Sequence, residues 1–234
     1  DIHGCILNTQ LLTDTLKAQK IDLVVHLAAK TSVPESMDKP QYYLEQNTQG
    51  TESLLQAMHN AGVSRIVFSS TAAIYGNTHE PPIKESCTPA PINPYGESKL
   101  RAEDAIRQAE TQYGIQHIIV RYFNAVGCDP DGEIGYPENS SSLLPTLLRS
   151  LKSENRVFKL FGQDHPTKDG SAVRDLVHVH DLAAAHEICA SVLLNGTATN
   201  QTFNLGTGTG YSIREVMSTV ESVTQKTLKV EHHE

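Results

Sequence analysis

The stretch Arg65-Ile-Val-Phe-Ser-Ser-Thr-Ala-Ala-Ile-Tyr-Gly76 decides the fold. Its first half is short, apolar and β-branched, as a strand buried on both faces should be. Its second half turns abruptly to hydroxyl and small residues. Upstream, Asp22-Leu-Val-Val-His-Leu-Ala28 reads as another such strand. A helical segment at about 11–19 precedes it, and a helix at about 41–61 follows, with Leu44, Leu54, Leu55 and Met58 inward and Gly62 as its stop. Downstream, a Pro-rich stretch (Pro81, Pro82, Pro89, Pro91, Pro94) leads into a helix at 94–113 that Gly114 caps, and residues 116–121 form a third strand. Strands alternating with helices at these intervals predict right-handed crossovers and a parallel sheet, the doubly wound α/β pattern.

Beyond Gly127 the pattern changes to a loop rich in Gly, Pro and Ser, a helix at 143–151 and a strand at 156–161. Two domains are therefore expected, 1–125 around the main sheet and 126–234 as a smaller α/β unit. Segments at about 173–185 and 202–206 are expected to return toward the main sheet, and a last helix is expected at 212–225. The closing His232-His233 reads as a solvated tail with no role.

The 234 residues, 38% apolar and 20% charged, suffice for a substantial core. No run approaches the length of a membrane helix, and the N-terminus lacks a signal-peptide layout. A net charge of −8 without long like-charge runs gives no footprint for nucleic acid or an anionic membrane. Cys5, Cys87, Cys128 and Cys189 are too scattered for a metal knuckle or a disulfide framework, so no metal site and a cytoplasmic location are expected.

The chemistry concentrates on Asn93-Pro94-Tyr95 and Lys99. Asparagine as N-cap and proline at the first helical position place Tyr95 and Lys99 four apart, on one face of the opening turns. Lys99, the helix N-terminus and an oxidised nicotinamide would each favour a Tyr95 phenolate, making it a general base. Strand carboxyl ends form the ligand crevice in open α/β sheets, which puts Thr71 beside the reacting oxygen.

The segments VVHLAAKTSVPES, NTQGT, IVFSSTAAIYG, PYGESK, RYFNAVG, FGQDHPTKDGSAVRDLVHVHDLA and FNLGTG, in that order, closely resemble the UDP-glucose 4-epimerases, of the extended short-chain dehydrogenase/reductase type in the NAD-dependent epimerase/dehydratase family. The resemblance implies a Rossmann-type fold with a smaller substrate domain, a UDP-hexose substrate, and catalysis by Thr71, Tyr95 and Lys99. It further implies that hydride passes from sugar C4 to bound NAD and returns on the other face of a 4-keto intermediate. Cofactor contacts are expected from Asp1, Ile2, Leu27, Ala28, Ala29, Lys30, Thr31, Asn47 and Phe123, besides the catalytic three. Substrate contacts are expected from Asn124, Ser142, Leu143, Lys159, Leu160, Phe161 and Arg174, together with Thr71 and Tyr95. A homodimer packed through the helices at 41–61 and 94–113 is implied as well.

The sequence departs from that pattern in places. Lys30 stands one position before Thr31, where a cofactor-facing lysine is common, Leu176 replaces a tyrosine after Arg174-Asp175, and Ser142 replaces an asparagine. Ala72-Ala73 after Thr71 removes the acidic residue that related dehydratases use for elimination. The family's opening strand and Gly-rich turn are expected ahead of Asp1, and its distal substrate residues beyond Glu234, so the chain reads as an internal segment. Gly206-Thr-Gly-Thr-Gly210 reads as a substrate-domain turn rather than a phosphate cradle. The alternatives are a non-catalytic binder of UDP-sugars, from another class, and a 4-epimerase of another UDP-hexose, N-acetylated or uronic acid.

Overall fold

The computed structural model describes residues 1–77, 80–137, 140–152, 156–197 and 199–233. They form two units, one of Asp1–Tyr122 with Leu182–Leu205, the other of Phe123–Asp181 with Gly206–Glu234. The first boundary thus falls after Tyr122.

In the first unit, β1 (Val24–His26), β2 (Arg65–Thr71), β3 (Gln116–Tyr122) and β7 (Gln201–Leu205) make one parallel sheet in the order β1-β2-β3-β7. Side chains alternate across a strand, so Ile66, Phe68 and Ile119 face one way and Val67, Ile118 and Val120 the other. The first set packs with Leu16 of α1 (Thr9–Ala18), Leu54, Leu55 and Met58 of α4 (Gly50–Ala61) and Ile106 of α5 (Pro94–Tyr113). The second packs with Cys189 and Leu193 of α7 (Val179–Leu194), which lies in this unit from Leu182 onward. Helices on both faces make the sheet doubly wound and of the Rossmann type.

The sequence reading missed α7. Its apolar residues lie all around the axis, as in Leu182, Ala183, Ala184, Ile188 and Leu194, so no single stripe announces it. The helix expected at 41–61 is real but divided: α2 (Val33–Asp38) and α3 (Pro40–Tyr43) precede a π-helical stretch at Leu44–Gln49, and α4 ends at Gly62 with φ +74°, where glycine costs least.

The second unit holds β4 (Asn124–Val126), β6 (Val173–His178) and β8 (Gly210–Ser212), with β6 parallel to β4 and antiparallel to β8. Residues 173–178 therefore pair within this unit instead of joining the main sheet. A separate parallel pair joins β5 (Phe158–Phe161) to β9 (Val230–His233). The tail reading of His232 and His233 is thus corrected: they pair with Leu160 and Phe161. Leu147 of α6 (Leu143–Ser150), Phe158, Leu160, Leu228, and Val216, Met217 and Val220 of α8 (Ile213–Thr224) form the core. A reciprocal Ser212–Glu215 capping box starts α8. No helix among the described residues is long and apolar enough to cross a membrane.

Ile119 is fully buried in the centre of the main sheet, so Ile119→Ala is expected to lower unfolding free energy by roughly 2–5 kcal/mol. Urea unfolding checks this, and a loss under about 1 kcal/mol would contradict the packing described.

Candidate active site

Local chemistry fixes where β2 and α5 end. Thr71 closes β2, and its Oγ1 accepts the Ala73 N–H at 3.1 Å, turning the chain into a short 3-10 segment, Ala72–Tyr75. Asn93 caps α5, its Oδ1 accepting the Gly96 N–H at 2.8 Å, with Pro94 in the first turn. Gly96 permits the approach: a Cβ there would lie 2.8 Å from the Ala73 carbonyl oxygen. The helix therefore reaches the strand end, and the Thr71 hydroxyl lies close enough to the Tyr95 phenol to favour its ionised form.

Thr71, Tyr95 and Lys99, at 8%, 8% and 3% exposure, form one buried cluster. Lys99 Nζ sits 4.0 Å from the centroid of the Phe68 ring, a desolvated cation–π contact. Burial pulls the Lys99 ammonium down to about 7, while Glu103 on the next turn pushes it back up. Burial pushes the Tyr95 phenol up to about 12 against the pull of the Thr71 bond, with Tyr122 and Tyr43 adding to the rise. The phenolate expected beside an oxidised nicotinamide is thus disfavoured until that positive charge is present. Lys99 and the helix terminus do not overcome desolvation, and Tyr95 in the protein alone is a neutral phenol at pH 7.

Beneath the cluster, His26 is buried on β1. The Thr51 hydroxyl donates to the Asn47 carbonyl at 2.7 Å, so it accepts from His26 Nε2 at 3.0 Å. Burial, with Lys99 adding, lowers the His26 imidazole to about 3.

Asn47 lies inside the π-helical stretch, a common place for functional side chains. Its Oδ1 accepts the Lys30 N–H at 2.8 Å, and its Nδ2 donates to the Lys30 carbonyl at 2.9 Å and to Ser98 Oγ at 2.9 Å. Ser98 in turn donates to the Tyr95 carbonyl at 2.8 Å. Asn47, expected as a cofactor contact, is thus occupied in pinning the loop after β1 to the Tyr95 helix. It shapes a binding surface while its own polar atoms are taken.

That loop leaves β1 at the same carboxyl edge at which Thr71 leaves β2, because the two strands run parallel. Leu27, Ala28, Lys30 and Thr31 are exposed there and Ala29 is half-buried. Lys30 Nζ stands 5.4 Å from the Tyr42 ring centroid. Asp1 and Ile2 are exposed in the segment before α1.

The remaining candidates belong to the second unit. Asn124 is exposed and pairs with Leu176, while Phe123 is half-buried beside Gly206. Arg174 is exposed, and its Nη1 donates to the Val173 carbonyl at 2.8 Å. On β5 the alternation is decisive: Lys159 and Phe161 face out, Phe161 62% exposed with its ring 5.3 Å from that of His233, whereas Leu160 is 2% exposed. Leu160 packs into the core. Leu143 packs on the same core, and Ser142, the N-cap of α6, is exposed and makes no side-chain cap bond. Asp175 takes up the glycine-rich turn, accepting from Thr207 N at 2.9 Å, Thr207 Oγ1 at 2.8 Å and Gly208 N at 2.9 Å. A carboxylate already holds the amides a phosphate would need.

Sequence reasoning did not single out Gly96, Ser98, His26 or Glu103. Gly96 and Ser98 stand inside the PYGESK motif, and Glu103 follows Lys99 by four, so spacing on α5 could have flagged all three.

Residues 2–206 match the model of the NAD dependent epimerase/dehydratase family. The chain belongs to this family. It is 42% identical over 224 residues to the UDP-glucose 4-epimerase of Halalkalibacterium halodurans, covering 95% of this chain and 66% of that protein. The chain thus spans about two thirds of the length of the curated relatives it matches. The UDP-glucose 4-epimerase of Brucella ovis in complex with NAD superposes with a TM-score of 0.95 at 36% identity, over 99% of this chain and 71% of that one. That of Bifidobacterium longum in complex with NAD+ and UDP gives 0.88 at 33% identity, over 99% and 70%.

Lys99 supplies a pH test. Its folded value of about 7 lies below its ordinary 10.5, so between those values the unfolded chain binds the extra proton and stability rises with pH. Lys99→Met is expected to flatten that rise in urea titrations between pH 7 and 10. An unchanged slope would contradict the burial of a titrating Lys99.

Proposed function

We propose that the protein is an NAD-dependent UDP-sugar 4-epimerase interconverting UDP-glucose and UDP-galactose. The observation that carries this is the buried cluster of Thr71, Tyr95 and Lys99 at a strand carboxyl end, followed by Ala72-Ala73 with no acid for elimination. Its similarity to named 4-epimerases supports the same reading.

The donor set fits a nicotinamide dinucleotide. Hydroxyls of Thr71 and Tyr95 and the Lys99 ammonium meet at the edge where the exposed 27–31 loop is pinned by Asn47. Residues 27–31 and Lys99 would hold the cofactor, with Asp1, Ile2 and Phe123 as further contacts. Bound NAD supplies the hydride acceptor and donor for sugar C4, and its oxidised ring brings positive charge. That charge, together with the Lys99 ammonium, would let Tyr95 release to solvent the phenolic proton it carries in the protein alone, and the resulting phenolate would take the 4-hydroxyl proton while Thr71 orients that oxygen by a hydrogen bond. Asn124 and Arg174 are assigned to the diphosphate, Arg174 through its fork of donors, and Ser142, Leu143, Lys159 and Phe161 to the remaining substrate contacts. Cytoplasmic location fits the scattered free cysteines. A homodimer through the helical segments 41–61 and 94–113 fits exposed Tyr42 in the first and Ile92 just before the second.

The test is conversion of UDP-galactose to UDP-glucose by the intact protein supplied with NAD. Tyr95→Phe is expected to lower kcat by roughly 10²–10⁴-fold while leaving the fold intact by circular dichroism. Absence of conversion by the unmodified protein, or full activity of the variant, would overturn the proposal.

A further inference from the structure

Glu103 has no part in the roles assigned above, yet it is fully buried and lies one turn beyond Lys99 on α5. Its carboxylate accepts four hydrogen bonds. Oε1 takes the Ser70 hydroxyl at 2.5 Å and Arg121 Nε at 3.0 Å, while Oε2 takes Arg121 Nη2 at 2.7 Å and Arg107 Nη2 at 2.8 Å. Ser70 is the residue before Thr71 on β2, and Arg121 lies on β3. Arg121 Nη1 also donates to the Tyr75 hydroxyl at 2.7 Å, and Tyr75 donates to Asn204 Oδ1 at 2.8 Å. One carboxylate thus joins α5 to two adjacent strands at their carboxyl ends.

We infer that Glu103 is a positioning residue for the Tyr95 and Lys99 pair, tying their helix to the strand that carries Thr71 and supplying the buried negative charge that keeps Lys99 an ammonium. Positions four apart on a helix face each other, and a cation as buried as Lys99 needs a fixed anion to remain charged. Around the pair, His26 from β1 is held neutral, Phe68 from β2 offers its ring, and Tyr95, Tyr43 and Tyr122 are phenols, so none of these is an anion. Arg121 and Arg107 hold Glu103 ionised: burial raises its carboxyl, but the Arg121, Ser70 and Arg107 bonds outweigh this and leave it below the ordinary value. His117 on β3 also feels this charge.

The inference rests on the proposed function only for its catalytic meaning, and its test needs no substrate. Lysine labelled with ¹³C at Cε is followed by NMR through a pH titration of the full chain, with the Lys99 signal assigned by its loss in Lys99→Arg. The Lys99 midpoint is expected to fall by about one pH unit or more in Glu103→Gln and to stay near that of the unmodified protein in Glu103→Asp. Ser70→Ala, which loosens the tie without removing the charge, is expected to leave it in place. An unchanged midpoint in folded Glu103→Gln would overturn the inference. Should that variant fail to fold, Glu103→Leu with Arg107→Met and Arg121→Met replaces the whole ion cluster by apolar groups, an exchange that is often neutral for stability. A lowered Lys99 midpoint there supports the inference and an unchanged one refutes it. Failure to convert UDP-sugars would leave this result standing.

Discussion

The amino end of α5 comes to rest against the carboxyl end of β2, and the site depends on that contact. It requires Gly96, since any Cβ would collide with the Ala73 carbonyl, and it requires the Asn93 cap, which starts the helix at the residue that places Tyr95 beside Thr71. With the helix seated, Lys99 has nowhere to go but onto the Phe68 ring. Asn47 and Ser98 then lock the loop after β1 to the same turn. Backbone fit brings the reactive groups together, and the buried Glu103 contacts tie the seated helix to both strands.

Burial sets the electrostatics of the resulting cluster. It opposes charge on Tyr95, Lys99 and His26 alike, and only Lys99 has a nearby anion to compensate. The resting site therefore holds a phenol, a partly ionised ammonium and a neutral imidazole at pH 7. Such a site is poised to respond to an added positive charge, because a cation brought to Tyr95 in a dry environment acts far more strongly than it would in water.

Local chemistry made much of this legible in the sequence. Alternating buried strands and amphipathic helices predicted the parallel sheet, and the Asn-Pro-Tyr start of α5 predicted Tyr95 and Lys99 on one face. What escaped depends on tertiary surroundings. The all-round apolar α7 has no stripe to read, and nothing local marks the π-helical turn that holds Asn47. The Glu103 and Arg121 pair joins residues 18 apart on different elements. The desolvation that holds Tyr95 as a phenol in the protein alone cannot be seen in a sequence, whereas a neighbouring lysine can. On β5, the strand alternation would have separated Leu160 from Phe161 had the strand been read for its faces, and β9 turned an apparent tail into its partner.

Epimerisation at C4 through reversible hydride transfer is the central claim. Its most direct measurement follows UDP-galactose carrying deuterium at C4 through conversion by the intact protein with bound NAD. UDP-glucose is expected to keep the deuterium at C4, with no exchange into solvent and no net accumulation of reduced cofactor. Washout of deuterium to water would contradict it, because the hydrogen would then have left as a proton.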